Sequence, residues 1–439
     1  MTYEKGKSII LTGLVVLSSI LTWNLWTYQP NVEEFEKKST IKEVMLSSPK
    51  EIKEIVKIDQ VLFTMDEKYY GTVSSEKINL VMNEISNLEF NAFTRIPPHQ
   101  VNPNAITRQH DSVLIQYPSD ISTKLFSTIY KLTGEFPAFH FNQILIDFEH
   151  SHGQDGVVYF ISQENDEIYS SNVSLSSIHY FENALLNEVK DYAQYFPLTL
   201  ETGKTIYLPE GETELVFNQY LIKNNVDADQ LKNALFSDPS LVQKSIISNV
   251  EEYTDGQNLL REDNDNHMIM YINPSEDENN DTPNDNNLIQ KSIDFVNDHG
   301  GWTDQYRYFE LNKERDTVHF RMYGPDGYPV FSENSRISTL EVGWISSEVS
   351  RYNRNNFSLG QLAINQIKKL DSGRVALEKI KAQEAFNPEK LQDIKIGYKI
   401  NLNAQTRLVS LEPSWFYLYE DKWVPLAESE IGGDEVGLE

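Results

Sequence analysis

His150 and His152 in FEHSHGQDG stand beside Glu149 and Asp155. Alternate residues of a strand entering a turn face one way, so two imidazoles and a carboxylate could surround a divalent ion. Spacing supplies no further convergent ligand, and polar turns commonly hold histidines, so no metal is assigned. Gly203, Lys204 and Thr205 resemble the end of a phosphate loop, but the first glycine of that motif would fall on Leu198. Ser47 and Lys50 form an S-x-x-K with no S-D-N or K-T-G partner downstream, and the chain contains no G-x-S-x-G and no H-E-x-x-H. Asp277, Asn279 and Asp281 follow calcium-loop spacing. Thr282 and Leu288, however, occupy the positions that need glycine and glutamate. Trp302, Tyr306 and Tyr308 share one side of an expected strand, where packing on a helix is the simpler reading than stacking on a sugar. No catalytic residue, metal ligand or cofactor follows from these patterns.

The remaining chemistry lies in the uncharged stretch SIILTGLVVLSSILTWNLWTYQP, from Ser8 to Pro30. Ser8 to Tyr28 is 21 residues, which as a helix spans roughly 31 Å, the thickness of a bilayer's hydrocarbon core. The segment closes on Trp23, Trp26 and Tyr28, suited to the membrane interface, where a cleaved signal would end in small residues. A retained transmembrane helix over 8–28 is therefore expected. At about 100° per residue, Ser8, Thr12, Val15, Ser19, Thr22 and Trp26 fall within roughly 40° of one line, with Ile10, Leu14, Leu17, Leu21 and Leu25 opposite. Small and hydroxyl-bearing residues let helices approach closely in lipid, so this line is a candidate partner face.

The flanks orient the span. Lys5 and Lys7 precede it, whereas Glu33, Glu34 and Glu36 come before the first downstream lysine, so residues 1–7 are expected in the cytoplasm and the bulk of the chain outside the cell membrane. The chain has no cysteine, and an exported domain of this size must rest on its core instead of on disulfides. With 66 acidic against 38 basic residues the formal charge is −28, which would repel a phosphate backbone and excludes nucleic acid as a general partner. Hydrophobic residues make up 39%, enough for several domains.

A juxtamembrane stalk is expected over 29–55. A first α+β domain over 56–197 follows, with strands at DQVLFTMD, SVLIQYP, NQILIDF and GVVYFIS and helices at SEKINLVMNEISNL, DISTKLFSTIYKL and SIHYFENALLNEVKDYAQ. The last helix places Tyr180, Leu185, Val189 and Tyr192 along one side, and Pro197 marks the boundary. A second α+β domain over 198–287 ends in the acidic run PSEDENNDTPNDNN, a linker by composition. A third occupies 288–426, with a hairpin turn at Glu420, Asp421 and Lys422, and 427–439 forms an acidic tail expected to lack structure. LVQKSI at 241–246 returns as LIQKSI at 288–293, each leading to an aromatic-Thr-Asp triplet that ends at Asp255 and Asp304. The second and third domains thus read as tandem copies of one unit ordered helix, turn, strand, turn, strand.

ILTGLVVLSSILTWNLWTYQP, YLPEGETELVFNQYLI, ALFSDPSLVQKSI, DFVNDHGGWTDQYRYFELN and the strand ending GYPVFS together resemble the YycH family. Its members are membrane-anchored accessory proteins of the WalK/WalR (YycG/YycF) two-component system of Gram-positive bacteria. The resemblance implies a three-domain extracytoplasmic α+β protein without catalytic activity. It also implies action with the smaller YycI on the sensor kinase WalK, chiefly through transmembrane helices, and either a homodimer or a heterodimer fits. Negative regulation is the expected sign, although some members are described as promoting the kinase. Two alternatives stay open at this level: an extracytoplasmic binding module for a cell-wall fragment or ion, and an exported hydrolase with an unrecognised site.

Overall fold

Apolar runs such as QILIDF and GVVYFI are too short for helices and too continuous for a half-exposed strand, so they belong in a sheet covered on both faces. The structure, a computed structural model, places them so. It describes Ser18 and residues 48–97, 100, 102–109, 111–152, 154–223, 226–274, 285–333, 336–384, 386–403 and 406–427. Among these residues no helix is long and apolar enough to cross a membrane; the expected span 8–28, Ser18 apart, lies outside them, as do most of the stalk and residues 428–439.

The first sheet takes its strands in chain order from β1 (Gln60–Met65), β2 (Lys68–Thr72), β3 (Glu89–Ile96), β4 (Ser112–Ser122), β5 (Lys131–Leu132), β6 (His140–His152), β7 (Asp155–Ser162), β8 (Glu167–Ser174), β9 (Ala193–Thr199) and β10 (Thr205–Pro209). They align as β10-β9-β2-β1-β4-β6-β7-β8-β3-β5. One face, with Phe63, Ile115, Ile144 and Phe160, joins the main core, and the other buries Leu62, Leu114, Leu145 and Tyr159 in a smaller cluster. Helix α1 (Ile52–Ile55) precedes its first strand, and α2 (Ser75–Ile85), α3 (Pro103–Gln109), α4 (Thr123–Ile129) and α5 (Leu175–Val189) lie between its strands in sequence. Of the expected side, Leu185, Val189 and Tyr192 are buried, while Tyr180 is 63% exposed and Ile178 and Phe181 of α5 are buried in its place. Pro197 falls inside β9 and does not end the unit, which continues to Pro209.

The chain then enters β11 (Thr213–Lys223), α6 (Ala228–Leu235), β12 (Gln243–Ile247), β13 (Val250–Thr254), β14 (Leu259–Asp263), β15 (Met268–Ile272) and α7 (Asp285–Asp298). After these come β16 (Tyr306–Asn312), β17 (Thr317–Met322), β18 (Val330–Phe331), β19 (Thr339–Ile345), β20 (Glu348–Asn355), β21 (Ser358–Leu370), α8 (Gly373–Lys381), β22 (Leu391–Asn403), β23 (Leu408–Tyr419) and β24 (Lys422–Pro425). The second sheet is antiparallel, ordered β12-β13-β14-β15-β20-β19-β17-β16. The third runs β18-β22-β23-β11-β21, with β24 on β23, and the turn between β23 and β24 holds Glu420 and Asp421 at positive φ. Strands from either side of residue 287 share the second sheet, and β11 pairs with β21 and β23 in the third, so pairing crosses the expected domain limits. The described residues from 48 to 427 belong to one compact unit.

The expected tandem repeat is not what the backbone shows. LIQKSI lies in α7, where Leu288, Ile289, Ser292, Ile293 and Val296 are buried at helical spacing. LVQKSI instead leaves a 3₁₀ turn at Leu241 and becomes β12, all of it exposed. The cause is context: Ser248 at φ 57° turns the first copy straight back onto β13, while the apolar period of the second continues for another turn. Thr254 and Asp255 accordingly close a hairpin, whereas Thr303 and Asp304 follow a helix.

Candidate functional site: the root of the N-terminal segment

Gly300 and Gly301, at φ +93° and +61°, end α7 because the Gly301 N–H must reach back to the Val296 carbonyl, at 2.8 Å. That cap turns the chain sharply and places Asn297, Trp302 and Asp304 together. The stretch where the described chain resumes at Ser48 docks on this corner. The Lys50 N–H donates to Asn297 Oδ1 (2.9 Å), Asn297 Nδ2 donates to the Lys50 carbonyl (3.0 Å), and Trp302 Nε1 donates to the same Asn297 Oδ1 (2.8 Å). Lys50 Nζ donates to the Asp304 carbonyl at 3.1 Å and stands 5.9 Å from the Trp302 ring centroid. Burial pulls the Lys50 ammonium below its ordinary range, with Glu54 and Asp304 opposing.

Below the corner is a buried polar layer. Asp304 Oδ1 accepts from the Leu359 N–H at 3.0 Å, while Oδ2 has no hydrogen-bond partner. Burial pushes this carboxyl up to about 6, against the pull of that N–H, Thr303, Arg354 and Lys50. Arg354, fully buried, donates to the Tyr352 hydroxyl (3.0 Å), which in turn donates to the His299 carbonyl (3.1 Å). The Tyr306 hydroxyl donates to Asn355 Oδ1 at 3.0 Å, and the Tyr308 hydroxyl to the Asp120 carbonyl of β4 at 2.8 Å. Lys50 is therefore tied through Asn297 to α7 and Trp302, and through Asp304 to Leu359 of β21 in the third sheet, while Tyr308 separately joins the second sheet to the first.

A second junction joins the first and third sheets. Lys395 of β22 pairs with Asp59, whose other oxygen accepts from the Tyr323 hydroxyl at 3.0 Å. Lys204 pairs with Asp393 at 3.0 Å. The loop between them is wedged so closely that a Cβ on Gly327 would meet the Val73 carbonyl at 2.3 Å.

The chemistry weighed from sequence does not converge on a catalyst. Gly203 and Lys204 form the turn between β9 and β10, with Lys204 engaged by Asp393. His150 and His152 stand at the end of β6, His152 paired in register with Asp155, and their side chains are outside the described ones. No three potential metal ligands cluster among the described residues. Asp277, Asn279 and Asp281 are also outside, and Trp302, Tyr306 and Tyr308 are buried to 2% exposure or less. The partner face Ser8, Thr12, Val15, Ser19, Thr22 and Trp26, with the anchors Trp23 and Tyr28, lies outside the described residues. The Lys50 and Asn297 tie escaped the sequence reading, although Asn297 belongs to the DFVNDHGGWTD block that carries much of the resemblance.

Family models described as "YycH protein, N-terminal domain" and "YycH protein, C-terminal domain" match residues 4–192 and 203–430. The two-component system WalR/WalK regulatory protein YycH of Bacillus subtilis (strain 168) is 23% identical over 451 residues, covering 98% of this chain and 97% of that protein. The crystal structure of YycH from Bacillus subtilis superposes with a TM-score of 0.74 at 21% identity, over 88% of this chain and 99% of that one.

Proposed function

The chain belongs to the YycH protein family, and from that premise we propose that it is a membrane-anchored regulator of the sensor kinase WalK. It sets signalling to WalR, acts together with YycI and does so without catalysis. The observation that carries this reading is the end-to-end similarity to a protein named as a WalR/WalK regulator. The root geometry supports it: a displacement of the N-terminal segment would load Asn297 and Asp304 first, and these are bonded to the end of α7 and to β21 of the third sheet. The proposed anchor is the helix over 8–28, with Ser8, Thr12, Val15, Ser19, Thr22 and Trp26 toward the kinase and the remainder extracytoplasmic. Negative regulation is the proposed sign.

The test is deletion of the protein with measurement of WalR phosphorylation. A rise in the deletant, reversed by the full chain, is expected. A fall would reverse the sign, and an unchanged level would end the regulatory reading.

A further inference from the structure

The second sheet buries one face against α7 and turns the other toward the β23–β24 hairpin, leaving a cleft of about 1200 Å³. Strand alternation sorts the two faces: Val318, Phe320, Leu340, Val342 and Tyr352 go to the core, while Arg321, Thr339, Glu341 and Asn353 line the cleft. Three polar atoms on this floor, Arg321 Nε, Thr339 Oγ1 and Asn353 Oδ1, are buried without a hydrogen-bond partner, on side chains no more than 9% exposed. Buried polar atoms are normally satisfied by protein, water or ligand, so three without a protein partner on one cleft floor mark where a bound molecule would find hydrogen bonds to complete.

The Arg321 guanidinium is held 4.2 Å from the Phe309 ring and 4.6 Å from that of Phe331, and its NH1 donates to the Val330 carbonyl at 3.1 Å. It cannot swing away to find another partner. In a chain of charge −28, the exposed Arg315, Arg336 and Lys422 at the cleft have no ion pair among the described residues; Lys204, Lys395 and Arg351 are engaged by Asp393, Asp59 and Glu341. The floor also presents acceptors. Glu310 and Glu341 flank His319 across the strands, and Glu341 accepts from Asn353 Nδ2 at 3.0 Å.

We infer that this cleft binds an anionic oligomer that also carries hydroxyl groups, such as a polyol phosphate or an acidic oligosaccharide. A ligand with anions alone would face Glu310 and Glu341 with nothing to donate. One with hydroxyls alone would leave Arg315, Arg336 and Lys422 unmatched. A chain alternating the two satisfies the open Arg321 and Thr339 donors with acid oxygens and the Asn353 acceptor with a hydroxyl. Partly exposed Trp423, packed on Phe331 at 4.8 Å, walls the cleft with a ring surface. This site does not rest on the regulatory reading.

The test is calorimetric titration of the full-length chain in zwitterionic nanodiscs at physiological ionic strength. The probes are a glycerol-phosphate oligomer and an oligogalacturonate, with polyglutamate, neutral dextran and glycerophosphoglycerol as comparisons. At least one oligomer should bind about tenfold tighter than every comparison. The R315A/R336A pair, both exposed, and Thr339→Val should each weaken binding about tenfold with the thermal midpoint unchanged. Failure of both oligomers to bind, or binding indifferent to these substitutions, overturns the inference. Equal binding of polyglutamate would make the cleft a surface for acidic peptides, and equal binding of glycerophosphoglycerol would reduce it to a headgroup-sized anion site; either result overturns it.

Discussion

The Lys50 backbone and the Asn297 side chain are hydrogen-bonded in both directions, at 2.9 and 3.0 Å, across 247 residues of sequence. Asn297→Ala removes both bonds and the acceptor of the Trp302 indole, a loss of about 1–3 kcal/mol confined to the root. Amide exchange at residues 48–56 should quicken while β17 and β19 keep their protection. In cells, a WalR-dependent reporter should shift toward the level of a strain lacking the protein. Wild-type output despite a loosened root would mean that the regulatory signal bypasses this corner.

Asp59 and Lys395 hold the first and third sheets together. Burial pushes the Asp59 carboxyl up, but the Lys395 charge and the hydrogen bonds from Lys395 and Tyr323 outweigh it and leave it below its ordinary value. Its stabilisation is present above the unfolded value of 3.8 and is lost as pH falls through the lower folded value. Lys395→Met alone should cost about 3–5 kcal/mol at neutral pH, because a charge stays buried without its partner. Adding Asp59→Asn should restore a good part. Urea midpoints of a form starting at residue 43 would measure this, and simple additivity would show that the two charges do not act as a pair.

Asp120 and Asp304 respond to pH the other way. Burial pushes each carboxyl up to about 6. The neutral form fits the fold, so this stabilisation is complete below the unfolded value of 3.8 and is lost as pH rises through about 6. Asp304→Asn should therefore raise stability at pH above 6, by on the order of 2 kcal/mol, and flatten the dependence between the two values. A melting series across that range reads it directly. A variant less stable than wild type above pH 6 would show that the ionised Asp304 carboxylate is stabilising.

The strands of the first sheet were legible because QVLFT, SVLIQYP and GVVYFIS are apolar runs too short for helices, and helix α7 because its apolar residues recur at helical spacing. The repeat misled for a physical reason. Six residues carry no fold of their own, and whether LVQKSI or LIQKSI becomes strand or helix depends on the turn or the apolar period that follows. The root and the cleft were not legible at all. Each brings together residues from distant elements, Lys50 with Asn297 and Arg321 with Trp423, and local pattern is silent about such meetings.

The last prediction concerns the partner face proposed for an N-terminal span over 8–28, formed by Ser8, Thr12, Ser19 and Thr22. Apolar side chains gain little by leaving lipid for a neighbouring helix, so partner choice there depends on close approach and a few polar contacts, each worth about 1 kcal/mol or less. Several together suffice to bias a kinase whose signalling states differ by a few kcal/mol. Replacing the four with leucine should leave insertion and the exported fold intact but weaken both regulation and crosslinking to WalK. Exchanging Ile10, Leu14, Leu17 and Leu21 among aliphatic types should change neither. A WalR-dependent reporter at matched expression separates the cases, because an unrelated apolar span that regulates equally well would reduce 8–28 to a tether. The signal would then have to pass through the folded unit that follows, and the Asn297→Ala variant would become the sharper probe of the route.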